Sequence, residues 1–361
     1  MTRLLHILVF GSLSYAFKIE YSNKSDIIET TEHSMTWTKY HPLDHFETYL
    51  NYLENTYDFV ELELIGQTYE KRPLKVLKVC KNGCGKPALW IDGGIHAREW
   101  ISPATVTWLM KELIENASKH PELLEKLDWY FLPILNPDGY VYSHEYDRLW
   151  RKSRSCFLIF CLDWLLPKSF PCRGTDLNRN WDYQWNHTNQ HTSSNFCYPT
   201  FRGYWPFYDL ETRAVKDFIL EHKNQIKFFN TIHSYSQMIL YPWSYSKDVK
   251  PKNHEKLEYM AKKGNEALFK VHGTKYQVGP AGEVLYEASG TSMDWAFGEA
   301  GIPYAFTMEL RPDSNYFRKS GFKLPEDEII PTGEEIWAFH ETVAKLIIDE
   351  FASEVIETNI L

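Results

Sequence analysis

The sequence predicts an α/β fold: a single domain with a mixed, mostly parallel twisted β-sheet and helices on both faces. Three observations carry that expectation. Short apolar runs of strand length alternate along the chain with longer stretches in which apolar residues recur every three or four positions. No linker, repeat or low-complexity stretch divides the 361 residues, so they read as one domain. The composition, 43% hydrophobic and 24% charged, is that of a globular chain.

The elements follow in order from about Thr36. HFETYLNYLENTY (45–57) has the spacing of an amphipathic helix, and VELELIGQTYEKRPLKVLKV (60–79) reads as two strands around a turn. PALWI (87–91) is a continuous apolar run, and PALWIDGG (87–94) reads as a buried strand. SPATVTWLMKELIENA (102–117) reads as a helix with Ser102 as N-cap and Pro103 at its first position. LDWYFLPIL (127–135) is a strand, ETRAVKDFILEHKNQ (211–225) a helix and IKFFNTIHSY (226–235) a strand. NHEKLEYMAKKGNEALFKVH (253–272) is a helix, PYAFTMELR (303–311) a strand and GEEIWAFHETVAKLIIDEF (333–351) a closing helix.

Bulk properties narrow the function. The net charge of −9 comes with no basic patch of the kind that neutralises phosphates, so nucleic acid is not an expected partner. The 13 Trp, 23 Tyr and 21 Phe fit either a large aromatic core or a cleft lined with rings. MTRLLHILVFGSLSYA (1–16) has a positive residue, an apolar run and small residues at Ser14 and Ala16, the order of a secretory signal. The alternative is a buried N-terminal segment. That run is short for a membrane span and no second one follows, so stable membrane insertion is not expected. Three sequons, beginning at Asn23, Asn116 and Asn186, fit a secreted glycoprotein.

Six cysteines, an even number, suggest disulfides in an oxidising compartment. Cys80 and Cys84 flank KNG and read as a clip across a turn, whereas the pairing of Cys156 and Cys161 is open. CFLIFCLDWLLPKSFP (156–171) interrupts a polar loop with an apolar run. Two readings of it stand: a packed flap beside a cleft, or sequence outside the mature product.

The chemistry gathers at three strand ends, where sheets of this class bind ligands. The first strand runs into GGIHAREW, with His96 and Glu99 three residues apart. Such a pair either satisfies itself structurally or holds a divalent metal. FFNTI runs into His233, and YAFTM runs into Glu309. Alone, His233 would read as a core histidine; beside His96 and Glu99 it completes a His–Glu–His set known to hold catalytic zinc with one position open. Glu309 is then left over as a general base for water.

Seven motifs extend this pattern: GGIHAREWISPA, NPDGY, RLWRKSRS, GTDLNRNWD, IHSYSQ, YEASGTSMDW and MELRPD. With them the chain resembles the zinc metallocarboxypeptidases of the pancreatic A/B type over about residues 36–350. The resemblance implies one Zn2+ per chain on His96, Glu99 and His233, with Glu309 as the base. It implies Arg151 as the arginine facing the developing oxyanion, and Asn178 and Arg179 as the grip on the substrate's terminal carboxylate. It further implies Tyr286 as a mobile lid, Arg98 as an accessory substrate arginine, and a Cys172–Cys197 disulfide. Met293, two residues after the GT of SGTSMDW, becomes the floor of the specificity pocket, with Leu240, Ser244, Ala281, Ala288 and Thr291 on its wall. Glu283 and Glu287 are expected to face solvent.

Physical reasons stand beside the resemblance. A guanidinium matches a carboxylate bidentately, as an enzyme acting on chain ends requires. An uncharged Met293 predicts removal of hydrophobic or aromatic C-terminal residues, because a substrate charge left unpaired in a closed pocket is costly. The expected organisation is a signal peptide (1–16), a short segment (17–35), the catalytic domain (36–350) and a tail (351–361). The expected protein is a secreted, extracellular monomer acting on peptide or protein C-termini. The sequence also departs from the family. The usual long inhibitory pro-segment is replaced by residues 17–35, consistent with an enzyme made active or with an incomplete N-terminus. Met308 stands where the family usually has phenylalanine. A binding protein that has lost catalysis would lack a ligand or base, and none is missing. A zinc amidase would have less reason to keep Asn178 and Arg179.

Overall fold

The computed structural model describes residues 32–156, 172–187, 189–314 and 321–352. The expected signal peptide, nearly all of the segment after it, Cys161 with the apolar stretch 157–171, and the tail from 353 lie outside the described residues.

The strands are β1 (Val60–Gln67), β2 (Pro73–Val79), β3 (Ala88–Gly93), β4 (Asp128–Leu132), β5 (Ile226–Ser236), β6 (Met238–Tyr241), β7 (Gln277–Pro280) and β8 (Tyr304–Asp313). They form one sheet in the order β1-β2-β4-β3-β5-β8-β6-β7. Its centre, β4-β3-β5-β8, is parallel, while β1 and β2 at one edge and β6 near the other run antiparallel to their inner neighbours. The helices are α1 (Leu43–Thr56), α2 (Ile101–Ile114), α3 (Pro121–Lys126), α4 (Pro137–Glu145), α5 (Leu210–His222), α6 (His254–His272), α7 (Ala281–Val284), α8 (Ser292–Gly298) and α9 (Ile329–Ile347).

The continuous apolar runs of the central strands are explained by burial on both faces. In β3, Leu89 and Ile91 enter one core with residues of α1, α2, α6 and α9, while Ala88 and Trp90 enter a second core with residues of α5 and α8. In β4, Trp129 and Phe131 go to the first core and Tyr130 and Leu132 to the second. The largest fully buried side chains are Trp90, Trp129, Trp181 and Trp295, so much of the aromatic content is core.

Every long element expected from the sequence is present within a few residues. One detail is corrected. Helix α2 begins at Ile101 after Trp100, so Ser102 lies inside its first turn rather than at the N-cap. The Ser102 hydroxyl instead accepts from Gly94 N and donates to Ile232 O, fastening the β3–α2 turn to β5. Gly94 adopts φ 63° there, a region that L side chains rarely enter. The two histidine-bearing segments are thereby held together. The short strands β6 and β7 and the short helices α3, α4, α7 and α8 carry too few residues for a periodic pattern and were not expected.

Candidate metal centre and substrate cleft

The parallel strands β3, β5 and β8 all end at one edge of the sheet, and a cleft of about 350 Å³ opens there. His96 and Glu99 lie on the turn after β3. His233 and Glu309 lie inside β5 and β8 as register partners, so the β-ladder itself sets them side by side.

Three donors converge in the cleft. His96 Nδ1 lies 2.8 Å from Glu99 Oε1, His233 Nδ1 lies 3.1 Å from Glu99 Oε2, and the two Nδ1 atoms are 3.0 Å apart. All three side chains are buried. Tetrahedral zinc ligands at about 2.0–2.1 Å from the ion stand roughly 3.4 Å from one another, so this cluster needs only a slight opening to fit one. Outer partners fix the rings. His96 Nε2 faces Asp176 Oδ1 at 3.1 Å, which leaves the Nδ1 lone pair pointing to the cluster. His233 Nε2 lies 3.4 Å from the Thr231 hydroxyl, which donates to Asp92. Burial by itself would raise the Glu99 pKa, but His96 and His233 beside it hold it well below the usual carboxylate range. The donor set therefore fits a divalent transition metal.

A second group of possible donors, Cys80, Cys84 and Asp128, is accounted for otherwise: the two cysteines form a disulfide, as the turn between them suggested.

A profile of the zinc carboxypeptidases matches residues 46–339. The chain belongs to the zinc carboxypeptidase family. It is 41% identical over 319 residues to carboxypeptidase B of Astacus astacus, covering 88% of this chain and all of that one. It is 41% identical over 315 residues to carboxypeptidase A4 of Mus musculus, covering 86% of this chain and 70% of that one. Among solved structures, bovine thrombin-activatable fibrinolysis inhibitor in complex with tick carboxypeptidase inhibitor is similar. There the TM-score is 0.77 and the identity 39%, over 87% of this chain and 99% of that one. The carboxypeptidase A of Helicoverpa armigera gives a TM-score of 0.79 at 29% identity, over 88% and 75% of the two chains.

In this zinc carboxypeptidase, Arg98, Arg151, Asn178, Arg179, Tyr286 and Glu309 line one cleft with the His–Glu–His cluster. Burial pushes the Glu309 carboxyl up to about 8, against the lowering effect of His233. Arg151 donates from Nε to Asp176 Oδ2 at 2.9 Å and stands 3.9 Å from Glu99. Burial works against its charge, but Asp176 keeps the guanidinium firmly protonated. Arg179 is held by His191 O and by Asn178 O, and the Asn178 side chain accepts from Ser292 N at 2.9 Å. Gly290 lets that loop approach: a Cβ there would sit 2.4 Å from Arg179 O, and its φ is 66°. The Arg98 guanidinium stacks 4.0 Å over Phe322, and its Nε has no hydrogen-bond partner among the described residues.

The wall residues Leu240, Ser244, Ala281, Ala288 and Thr291 also line the cleft. Met293 does not reach its surface; it is fully buried in α8 within the apolar cluster that contains Leu240 and Ala281. Glu283 is exposed and Glu287 is turned to the Lys247 N–H, so neither lines the cleft. Cys172 and Cys197 form a disulfide. The sequence reading did not single out Asp176, His191 or Phe322. Asp176 sits inside the quoted GTDLNRNWD, but its only signal was an acidic residue in an otherwise site-forming motif. Which way it faces is a property of the fold.

Proposed function

We propose that this chain is a secreted, monomeric, zinc-dependent exopeptidase that hydrolyses the C-terminal peptide bond of peptides and proteins and prefers hydrophobic or aromatic ends. The catalytic unit is residues 36–350, and one zinc is held by His96, Glu99 and His233. The observation that carries the reading is the convergence of those donors beside Glu309, Arg151 and Arg179 in one cleft. Secretion is supported by the signal-like residues 1–16 and by two disulfides. Among the described residues no helix is long and apolar enough to cross a membrane.

Bound zinc supplies a Lewis acid for the scissile carbonyl and lowers the pKa of the attacking water. Arg179 and Asn178 take the terminal carboxylate, which fixes the last peptide bond in the cleft and excludes internal bonds. Glu309, in its ionised form, accepts the proton of the attacking water and passes it to the leaving amine. Burial favours the neutral acid, and His233 beside it works the other way, as a cation held by the triad would. Arg151, braced by Asp176, faces the oxygen that gains charge only in the transition state. Arg98 adds a donor further along the cleft, and Tyr286 covers the bound end. The uncharged wall around Leu240, Ala281 and Ala288 receives the last side chain. Relatives named carboxypeptidase A and carboxypeptidase B are both similar to this chain, so the preference rests on that wall and on Met293.

The test is mass spectrometry of a peptide ending in phenylalanine, incubated with purified protein before and after chelation and with zinc restored. Loss of one C-terminal residue, abolished by chelation and recovered with zinc, is expected. Internal cleavage, or release that survives chelation, would overturn the reading.

A further inference from the structure

One aromatic contact in the cleft is made by a side chain that has no other work. The imidazole of His191 stacks on the ring of Tyr286 with centroids 4.1 Å apart and planes 25° from parallel. His191 is exposed on its other side, and its ring makes no hydrogen bond among the described residues. Its backbone is used separately: His191 O accepts from Arg179 Nε at 2.9 Å.

The two segments are also clipped together. Asn189 Nδ2 donates to Ser289 Oγ at 2.6 Å, Ser289 Oγ donates to His187 O at 2.9 Å, and Ser289 N donates to Thr192 Oγ1 at 3.1 Å. The loop that carries His191 is therefore fixed to the loop that carries Tyr286. The Tyr286 ring in turn lies 5.9 Å from the Arg179 guanidinium.

We propose that His191 is a positioning residue for Tyr286, whose stacked imidazole holds the phenol ring over the arginine that receives the substrate's terminal carboxylate. The proposal deepens the exopeptidase reading and rests on it for the role of Tyr286. The backbone bond to Arg179 survives any substitution at 191, so whatever the side chain contributes passes through the tyrosine ring. A flat ring is what the position needs. Its charge is not, since Arg179 already stands close by and depresses protonation of the imidazole after burial has done so.

The experiment uses the zinc-loaded full chain and a peptide ending in phenylalanine. His191→Ala is expected to raise KM about two- to tenfold, the range of one aromatic pair, with kcat nearly unchanged. His191→Phe is expected to stay close to the parent. On a Tyr286→Ala background, His191→Ala is expected to add almost nothing. A parental KM in His191→Ala, an equal loss on both backgrounds, or a His191→Phe as impaired as the alanine variant would each overturn the proposal. A parent that releases no C-terminal residue would overturn the exopeptidase reading instead. The stack is then read from the ring resonances of Tyr286 in carbon-labelled tyrosine NMR: displaced in His191→Ala and retained in His191→Phe if it exists, unmoved in both if it does not.

Discussion

Asp176 and His96 face each other across 3.1 Å, carboxylate Oδ1 to ring Nε2, both buried. The other oxygen of the same carboxylate takes Arg151 Nε at 2.9 Å. One side chain thus orients a proposed metal ligand and the arginine proposed to face the oxyanion. Burial opposes its charge, yet Arg151 and His96 keep its pKa well below the usual carboxylate value.

Asp176→Asn is therefore expected to hurt twice. An amide keeps the shape but turns an N–H2 toward one of two donors. Zinc affinity should fall by about 10–100-fold, as for other outer partners of ligating histidines. The kcat/KM measured at saturating zinc should fall further, because Arg151 is no longer braced. Competition with a chromophoric chelator measures the first effect, and parental affinity would show that the His96 tautomer is set by something else.

Glu309→Gln separates metal binding from proton transfer. Glu309 is no part of the donor cluster, so zinc content and melting temperature should stay at the parental level. Activity should fall by roughly 10²–10⁴, since the amide cannot accept the proton. Residual activity within about tenfold of the parent would mean another group is the base.

A pH-dependent stability is built into the opposite face of the sheet. His340 in α9 is fully buried, with Nδ1 donating to Ile336 O at 2.8 Å and Nε2 facing Asn230 Nδ2 at 3.0 Å. That arrangement suits a neutral ring, and burial lowers its pKa from 6.5 to about 4. Above pH 6.5 neither the folded nor the unfolded chain protonates it, so its neutral form costs nothing. As the pH falls from 6.5 to about 4, the unfolded chain takes up a proton that the folded one refuses, and stability is lost. The loss over that window is about 3 kcal/mol. Urea unfolding of the parent and of His340→Leu at both ends of the window tests it. The variant starts less stable, because Asn230 loses its partner, but should have the shallower pH slope. Equal slopes would rule out His340 as the titrating group.

The central strands were legible because burial on both faces leaves an unbroken apolar run such as ALWI, and the long helices because their stripes repeat over several turns. The same period is absent from β6 and β7, four residues each, which are strands only because β6 finds an edge on β8 and β7 finds one on β6. Ser102 carried the composition of a helix cap, but the close packing of Gly93 and Gly94 against α2 gave its hydroxyl other partners. At the site, His96, Glu99, His233 and Glu309 were readable because each stands after, or near the end of, a strand of one parallel set. His96 and Glu99 follow β3, and His233 and Glu309 lie a few residues before the ends of β5 and β8. Asp176 and His191 were not, since both come from loops whose course is decided by tertiary contacts.

Chain-end preference gives the sharpest separation between related enzymes, and the proposal for this chain rests on its uncharged wall and on Met293. That residue is fully buried in the cluster behind Leu240 and Ala281, both of which line the cleft. Any effect it has on the pocket therefore passes through that wall, to which it brings no charge. The charged groups lining the cleft are those assigned to the metal, the base, the oxyanion and the carboxylate grip, together with Arg98. A substrate lysine or glutamate in the pocket would lose its water without finding a partner, whereas Phe, Tyr, Leu, Ile or Met would gain apolar contact. Peptides that differ only in their last residue should be cut at least about tenfold faster with those five than with Lys, Arg, Asp or Glu, a gap of about 1.4 kcal/mol. Met293→Asp should narrow the gap for Lys and Arg, since a carboxylate behind the wall offers them a counter-charge. It should also lower stability, because in the free enzyme that carboxylate is buried without a partner. If the unmodified enzyme releases Lys or Arg as fast as Phe, the pocket is not apolar in effect, and the assignment of Met293 falls whether or not the variant folds.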